Sequence, residues 1–267
     1  VGAIRMSKFS KYLIREGYDV KVIAPKLDKY ESLDENLISA EYEKKMVIRE
    51  SHGKLFNNTL KRFRDILLQN RSASSYTVSK SNSKLNVKAK LMKKGVAWYL
   101  SIENKLWERK VIKMILKNDI VKEGDTIISS YPKLSTHLIA SKIANKKGCS
   151  WIADFRDPLT YEQLDSKQQY EENKHLQRKI CNKASIVTYV SENMVRKLSS
   201  GVSDKEKFIF IPNGFDLEDL EVVAKSQVNI QSKYQDFLKF AYVGGLYGGK
   251  RDLSKLFEIL SRLFDKK

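Results

Sequence analysis

A chain of 267 residues, 42% hydrophobic and 10% aromatic, is long enough to bury the core of one large domain, or of one domain plus part of another. No run approaches about 18 uncharged apolar residues, so the sequence predicts no membrane-spanning helix. Its net charge of +18 is concentrated: residues 54–117 hold sixteen Lys and Arg against Asp65, Glu103 and Glu108, a surplus of thirteen. Cys149 and Cys181 stand alone, with neither metal spacing nor a disulfide framework, and read as small buried apolar residues in a reducing, cytoplasmic compartment.

The chain opens at Val1 directly on a helical pattern, without a signal peptide, and reads as cut at both ends. Ile4, Phe9, Tyr12, Leu13 and Ile14 give residues 3–16 a broad apolar face, with Gly17 at the C′ position. A strand follows at 19–24, ended by Pro25. A helix feeding a strand through a glycine is half of a βαβ unit, whose first strand would lie before Val1. From 26 to 122 the pattern loosens: 54–69 and 91–117 read as helices, and 72–83, with six serines, as a mobile loop.

Regular alternation then returns. Strands are expected at 126–129, 150–155, 185–190 and 207–211, with helices at 135–147, at 161–183 and after Ser191, a plausible N-cap. Strands recurring with helices between them predict an α/β fold with a parallel, doubly wound sheet. Residues 215–236 are polar and read as a linker, after which 237–243 begins a new sheet. The segment Tyr242-Val-Gly-Gly-Leu-Tyr-Gly-Gly-Lys-Arg251 then places four glycines and two cations between an apolar run and the amphipathic stretch 253–263. Strand, glycine-rich turn and helix N-terminus are the order in which backbone N–H groups receive a phosphate.

In a doubly wound sheet, ligands bind outside the carboxyl ends of the strands. Polar residues collect there: Ser130 to His137, Asp154-Phe-Arg-Asp157, Ser191 with Glu192, and Pro212-Asn-Gly-Phe-Asp216. Such an edge suits a polyhydroxylated ligand, although Ser135, Ser191 and Asp216 read equally as caps or turns. Asp154, Arg156 and Asp157 form either a structural ion pair or a carboxylate group that orients or deprotonates a sugar hydroxyl. His137 lies in a first helical turn facing the same edge, whereas His52 and His175 sit in polar surroundings.

These residues, in their order and spacing, resemble the family 4-type glycosyltransferases of the GT-B fold, especially bacterial enzymes of surface-polysaccharide assembly. The resemblance runs from Val1-Gly-Ala-Ile-Arg5 and Gly17-Tyr-Asp-Val-Lys-Val-Ile-Ala-Pro25 through Ile128-Ser-Ser-Tyr-Pro132, Ser135-Thr-His-Leu-Ile-Ala140 and Trp151-Ile-Ala-Asp-Phe-Arg-Asp-Pro158. It continues in Ile211-Pro-Asn-Gly-Phe-Asp216 and 242–251. It implies two Rossmann-like domains. Residues 1–214 would form the acceptor-side domain, with a basic helical insertion at about 54–117. A linker would occupy 215–236, and 237–267 would begin an incomplete donor-binding domain.

The same resemblance implies a nucleotide-sugar donor, a glycan or lipid-linked acceptor, retention of anomeric configuration, and no metal or other cofactor. Gly2 and Arg5 would lie near the donor phosphates with Gly244 and Gly245, and Lys250 would bind the diphosphate, offsetting charge on the leaving group. Arg251 would replace the arginine that many relatives carry at the place of Gly245. Ser191, Glu192 and Asn213 would line the cleft and hinge. His137, Asp154, Arg156 and Asp157 would be the catalytic candidates, the two aspartates holding the acceptor if the leaving phosphate takes its proton. The family's paired glutamates would lie beyond Lys267, so this chain alone is expected to be inactive.

Within 91–117, Trp98, Ile102 and Leu106 recur at i, i+4, i+8, and Trp107, Val111 and Ile115 repeat the spacing alongside. Lys93, Lys94, Lys105, Arg109, Lys110, Lys113 and Lys117 surround them. Either the helix lies on an anionic bilayer, with both tryptophans facing it, or it packs on its own domain as a solvated helix. A non-catalytic glycosyltransferase remnant or membrane-surface binding module is the second functional reading. A nucleic-acid-binding protein is the third, and it lacks a recognised motif.

Overall fold

The computed structural model describes residues 2–26, 46–50, 83–162, 165–225, 240, 242 and 252–264. In chain order the elements are α1 (Gly2–Arg15), β1 (Val22–Pro25), β2 (Val47–Glu50), α2 (Ser83–Lys117), β3 (Thr126–Ser130), α3 (Leu134–Lys147) and β4 (Ser150–Phe155). There follow α4 (Lys167–Lys183), β5 (Ile186–Tyr189), α5 (Glu192–Leu198), β6 (Phe208–Phe210), α6 (Leu217–Lys225) and α7 (Ser254–Phe264). All the strand pairs are parallel, in a two-stranded sheet β1-β2 and a four-stranded sheet β3-β4-β5-β6. The protein is thus an α/β fold with a parallel sheet and alternating helices, as the Rossmann-like pattern requires.

Strand register sorts the side chains. Ile127 stands beside Trp151, Ala153 beside Val187, and Phe155 beside Tyr189. Because successive side chains alternate, these residues share one face of the sheet. That face packs against Ala140 and Ala144 of α3 and Ile180 and Cys181 of α4, with Val195 and Leu198 of α5 at its margin. On the opposite face, Ser130, Asp154 and Thr188 fall side by side across three strands, in a polar row at the carboxyl edge.

Local sequence explains where elements stop. Gly17, at φ +88°, closes α1: its N–H reaches the carbonyl of Ile14, and the N–H of Tyr18 that of Leu13. α4 begins later than the expected 161 because Asp165 accepts the N–H of Tyr161 and the hydroxyl of Thr160, holding that stretch as a turn. Ser166 and Gln169 then cap the helix reciprocally. The expected linker contains α6, whose start Asp216 caps by accepting the N–H of Glu218 at 3.2 Å. Strand β2 answers to Val47 and Ile48, which pair with Val22 and Ile23. The expected helix at 54–69, most of the serine-rich loop and most of the new sheet's strand lie outside the described residues.

The long helix α2 buries one of its two apolar rows. Trp107, Val111 and Ile115 are buried against Ile139 and Ile143 of α3, and the Trp107 indole N–H donates to the Glu50 carbonyl at 3.2 Å. Trp107 is 2% exposed and Trp98 66%. The expectation that both tryptophans face outward is therefore corrected: Trp107 belongs to the core, and Trp98 alone of the two is presented to solvent. Trp107→Ala should lower the unfolding free energy by about 3–5 kcal/mol in urea denaturation. A loss below about 0.5 kcal/mol, typical of a surface site, would contradict this burial.

Candidate functional site

The carboxyl edge of the four-stranded sheet is organised around Asp154, whose side chain is 1% exposed. It accepts hydrogen bonds from the Ser130 hydroxyl at 2.9 Å and the Thr188 hydroxyl at 2.7 Å, its in-register neighbours on β3 and β5. Arg5 of α1 closes over it, donating from Nε at 3.3 Å and Nη2 at 3.0 Å. The other donors of Arg5 reach the carbonyls of Ile211 and Pro212 at 3.0 and 2.9 Å and Oδ1 of Asn213 at 3.3 Å. Its guanidinium also lies 4.6 Å from the Phe9 ring centroid. All five guanidinium N–H groups are thereby engaged.

This arrangement changes the roles expected of several residues. Arg5 has no donor left for a phosphate, and Asp154 is enclosed by four donors, so both hold the edge together instead of facing a ligand. Asn213 joins them by accepting from Arg5. Gly2 opens α1 and so contributes a first-turn backbone N–H rather than a loop. Because Arg5 touches both the end of β4 and the segment after β6, the N-terminal turn of α1 lies at the carboxyl edge. Such a turn carries unpaired N–H groups and the positive end of a helix dipole.

Past Asp154, the chain presents Arg156 and Asp157. The guanidinium grips Oδ2 of Asp157 from Nε at 3.0 Å and Nη2 at 2.9 Å, while Oδ1 accepts from the Tyr161 hydroxyl at 3.3 Å. The Asp157 side chain is 42% exposed, so it has room for a further donor from solvent. Burial and the Asp157 charge raise the phenols of Tyr131 and Tyr161. Tyr161, which sequence reasoning did not single out, thus touches the Asp157 carboxylate, whereas the Tyr131 ring packs against His137 and Phe155. Gln177 of α4 anchors the loop by accepting the N–H of Leu159 at 2.8 Å.

His137 is not part of this group. It is fully buried on the opposite face of the sheet, its ring centroid 4.6 Å from that of Phe155. Ser129 Oγ meets His137 Nδ1 at 2.7 Å and accepts the Trp151 indole N–H at 2.7 Å. Nε2 has no partner among the described residues. Burial pushes the imidazole down to about 4, against a smaller opposing pull from Asp154. The expectation that His137 faces the edge is corrected: its helix packs on the other face, among aromatic rings.

Elsewhere the expected positions divide. Ser191 takes the N-cap position of α5 by backbone geometry but its hydroxyl makes no cap bond, and Glu192 is exposed in the first turn. Arg109 is exposed, Lys110 pairs with Glu50 at 3.4 Å, and Lys93 and Lys94 fall in the N-terminal half of α2. Gly244, Gly245, Lys250 and Arg251 lie outside the described residues. Among the described residues no cluster of His, Cys, Asp or Glu could hold a metal ion, and no helix is long and apolar enough to cross a membrane.

A second ionic group straps α1 to α6. Asp216 accepts from Lys8 at 2.8 Å, Lys11 at 2.6 Å and the Tyr12 hydroxyl at 3.1 Å. Glu218 pairs with Lys11 and Arg15, both at 2.7 Å. Hydrogen bonds from Lys11 and Lys8 hold Asp216 well below the usual carboxylate range, and Arg15 and Lys11 hold Glu218 down to about 2. Neither the family models nor the curated proteins match this chain.

Acid should destabilise the protein in two stages. Between about pH 6.5 and 4 the unfolded chain binds the proton that buried His137 refuses, so stability falls as pH drops through that window. At lower pH the unfolded carboxylates protonate before those of Asp216 and Glu218, and the stability they contribute above their unfolded values is lost. Chemical denaturation across this range should show both limbs, with His137→Gln flattening only the upper one. An unchanged slope between pH 6.5 and 4 in that variant would contradict the neutral buried imidazole.

Proposed function

We propose that this protein is a glycosyltransferase that moves a sugar from a nucleotide-sugar to a glycan or lipid-linked acceptor in bacterial cell-surface polysaccharide synthesis. The observation that carries the reading is the composition of the carboxyl edge. There a parallel sheet, the first turn of α1 and the half-buried pair Arg156–Asp157 converge, beside Tyr161, which is suited to stacking on a sugar ring or hydrogen bonding its hydroxyls. The resemblance to GT-B enzymes of the family 4 type supplies the reaction class, and the glycine-rich run 242–251 supplies the donor end.

In this reading Asp157 accepts a hydrogen bond from an acceptor hydroxyl, and Arg156 keeps the carboxylate aimed. The bond between the acceptor oxygen and the anomeric carbon forms as the bond from that carbon to the diphosphate breaks. The acceptor proton passes to an oxygen of the leaving phosphate, on the same face of the sugar, so configuration is retained and no protein base is needed. Lys250 and Arg251, with the N–H groups around Gly244 and Gly245, offset the charge that grows on the diphosphate. Asp154 and Arg5 act by fixing the positions of α1 and the segment after β6.

Calorimetric titration with nucleoside diphosphates and transfer assays with nucleotide-sugars, both on the complete protein with its whole donor domain, test the reading. Lys250→Ala should weaken diphosphate binding roughly 10- to 100-fold, the loss of a charge-assisted hydrogen bond. Asp157→Asn should lower transfer far more than donor binding. Absence of any nucleotide binding, or equal losses of both in Asp157→Asn, would remove the assignment.

A further inference from the structure

The face of α2 turned away from Trp107 mixes cations with apolar side chains, of which Ile112 and Leu116 also pack in part against the core. Counting 100° per residue, Trp98, Lys105, Arg109, Ile112, Lys113 and Leu116 fall within about 60° of one line along the helix, away from buried Trp107, Val111 and Ile115. Trp98 to Leu116 spans about 27 Å. Trp98, Lys105, Arg109 and Lys113 are exposed, and Ile112 and Leu116 are half-buried.

Among the described residues, Lys105, Arg109, Lys113 and Lys117 form no ion pair. On the α3 side the ridge becomes a shallow open groove of about 640 Å³, lined by Arg109, Lys113, Lys117 and Lys142 around Ile112 and Leu116. One carboxylate stands close to it: Glu108 pairs with Lys142 and is itself buried. The lining contains no other acid.

We infer that this face docks the protein on the surface of an anionic phospholipid bilayer, with a phosphate-bearing headgroup in the α2–α3 groove and the Trp98 ring at the headgroup–acyl boundary. Charge complementarity selects the partner's sign. Apolar side chains interleaved with the cations select a bilayer over a nucleic acid: Trp98, Ile112 and Leu116 gain from partial burial beneath headgroups. A nucleic-acid groove, by contrast, is read by hydrogen-bonding side chains, which this face lacks apart from its cations and Ser101. Lys110 and Trp107 take no part, since one pairs with Glu50 and the other is buried. The inference is independent of the transferase reading, because surface attachment needs no nucleotide-sugar and no acceptor.

The chain carries its own reporter. Of its three tryptophans, Trp107 and Trp151 are buried and Trp98 is exposed. Vesicles of mixed phosphatidylglycerol and phosphatidylcholine should blue-shift the fluorescence of the full chain, with quenching by lipids brominated on their acyl chains. Pure phosphatidylcholine vesicles should leave the spectrum unchanged. Replacing Arg109, Lys113 and Lys117 together by Ala should lower apparent affinity on the order of a hundred-fold, about a factor of five per cation, while the far-ultraviolet circular dichroism stays the same. Trp98→Phe should abolish the blue shift yet still co-sediment with anionic vesicles. Equal binding to both vesicle types would overturn the inference, as would a triple variant that binds like the parent. Tighter binding to a short DNA duplex than to anionic vesicles at the same salt, lost in the triple variant, would reassign the face to nucleic acid.

Discussion

At the end of β4 the carboxylate of Asp154 is withdrawn from water and returned a full set of donors: two hydroxyls from the flanking strands and two N–H groups from Arg5. A charge buried in this way is tolerable only while its partners stay in place, because removing one leaves the other uncompensated at a cost of about 3–5 kcal/mol. Arg5 is held by the same logic. Its remaining N–H groups are fixed by the carbonyls after β6 and by Asn213, so one side chain joins α1, β4 and the segment after β6. The geometry of the carboxyl edge follows from this pairing: α1 presents its first turn there because its fifth residue is anchored in the sheet.

The strap between α1 and α6 extends the same tie. Lys8, Lys11 and Arg15 recur at three- and four-residue spacing, so they form a cationic strip along α1, and Asp216, Glu218 and Asp219 meet that strip at the start of α6. Asp216 both caps α6 and accepts two lysines, which makes the helix start and its docking one event. With Arg5 and Asp154 committed to architecture, the chemistry in the proposed function falls to groups that remain reachable: Asp157, Arg156, Tyr161 and the backbone at the start of α1.

Much of this fold was legible in the sequence. The strands from 126 to 211 announced themselves as short apolar runs between helical stretches, and Gly17 marked the end of α1 because a left-handed residue is needed there. The polar edge was legible in part: Ser130 and Asp154 stood out at the ends of apolar runs, whereas Thr188 joins them only through the register of the folded sheet. The fate of each polar residue was not legible. A strand pattern shows that Asp154 follows an apolar run, but its burial depends on Arg5, 149 positions away. His137 shows the converse. Its place in a first helical turn suggested the edge, yet the helix's rotation directed the ring into the aromatic core. In α2 two apolar rows run side by side, and periodicity alone cannot say which one a neighbouring helix covers. Ile139 and Ile143 of α3, packed against Trp107, Val111 and Ile115, decide that.

A double-mutant cycle between Arg5 and Asp154 tests the central claim most directly. Unfolding free energies would be measured in urea for the parent, Arg5→Met, Asp154→Asn and the combined variant. The account predicts that each single change costs several kcal/mol and that the double change costs less than their sum by about 2 kcal/mol or more, since each single change strands a buried partner. Additive losses, within about 0.5 kcal/mol, would mean that the two side chains stabilise the protein independently. The carboxyl edge would then have to be held by something other than their contact.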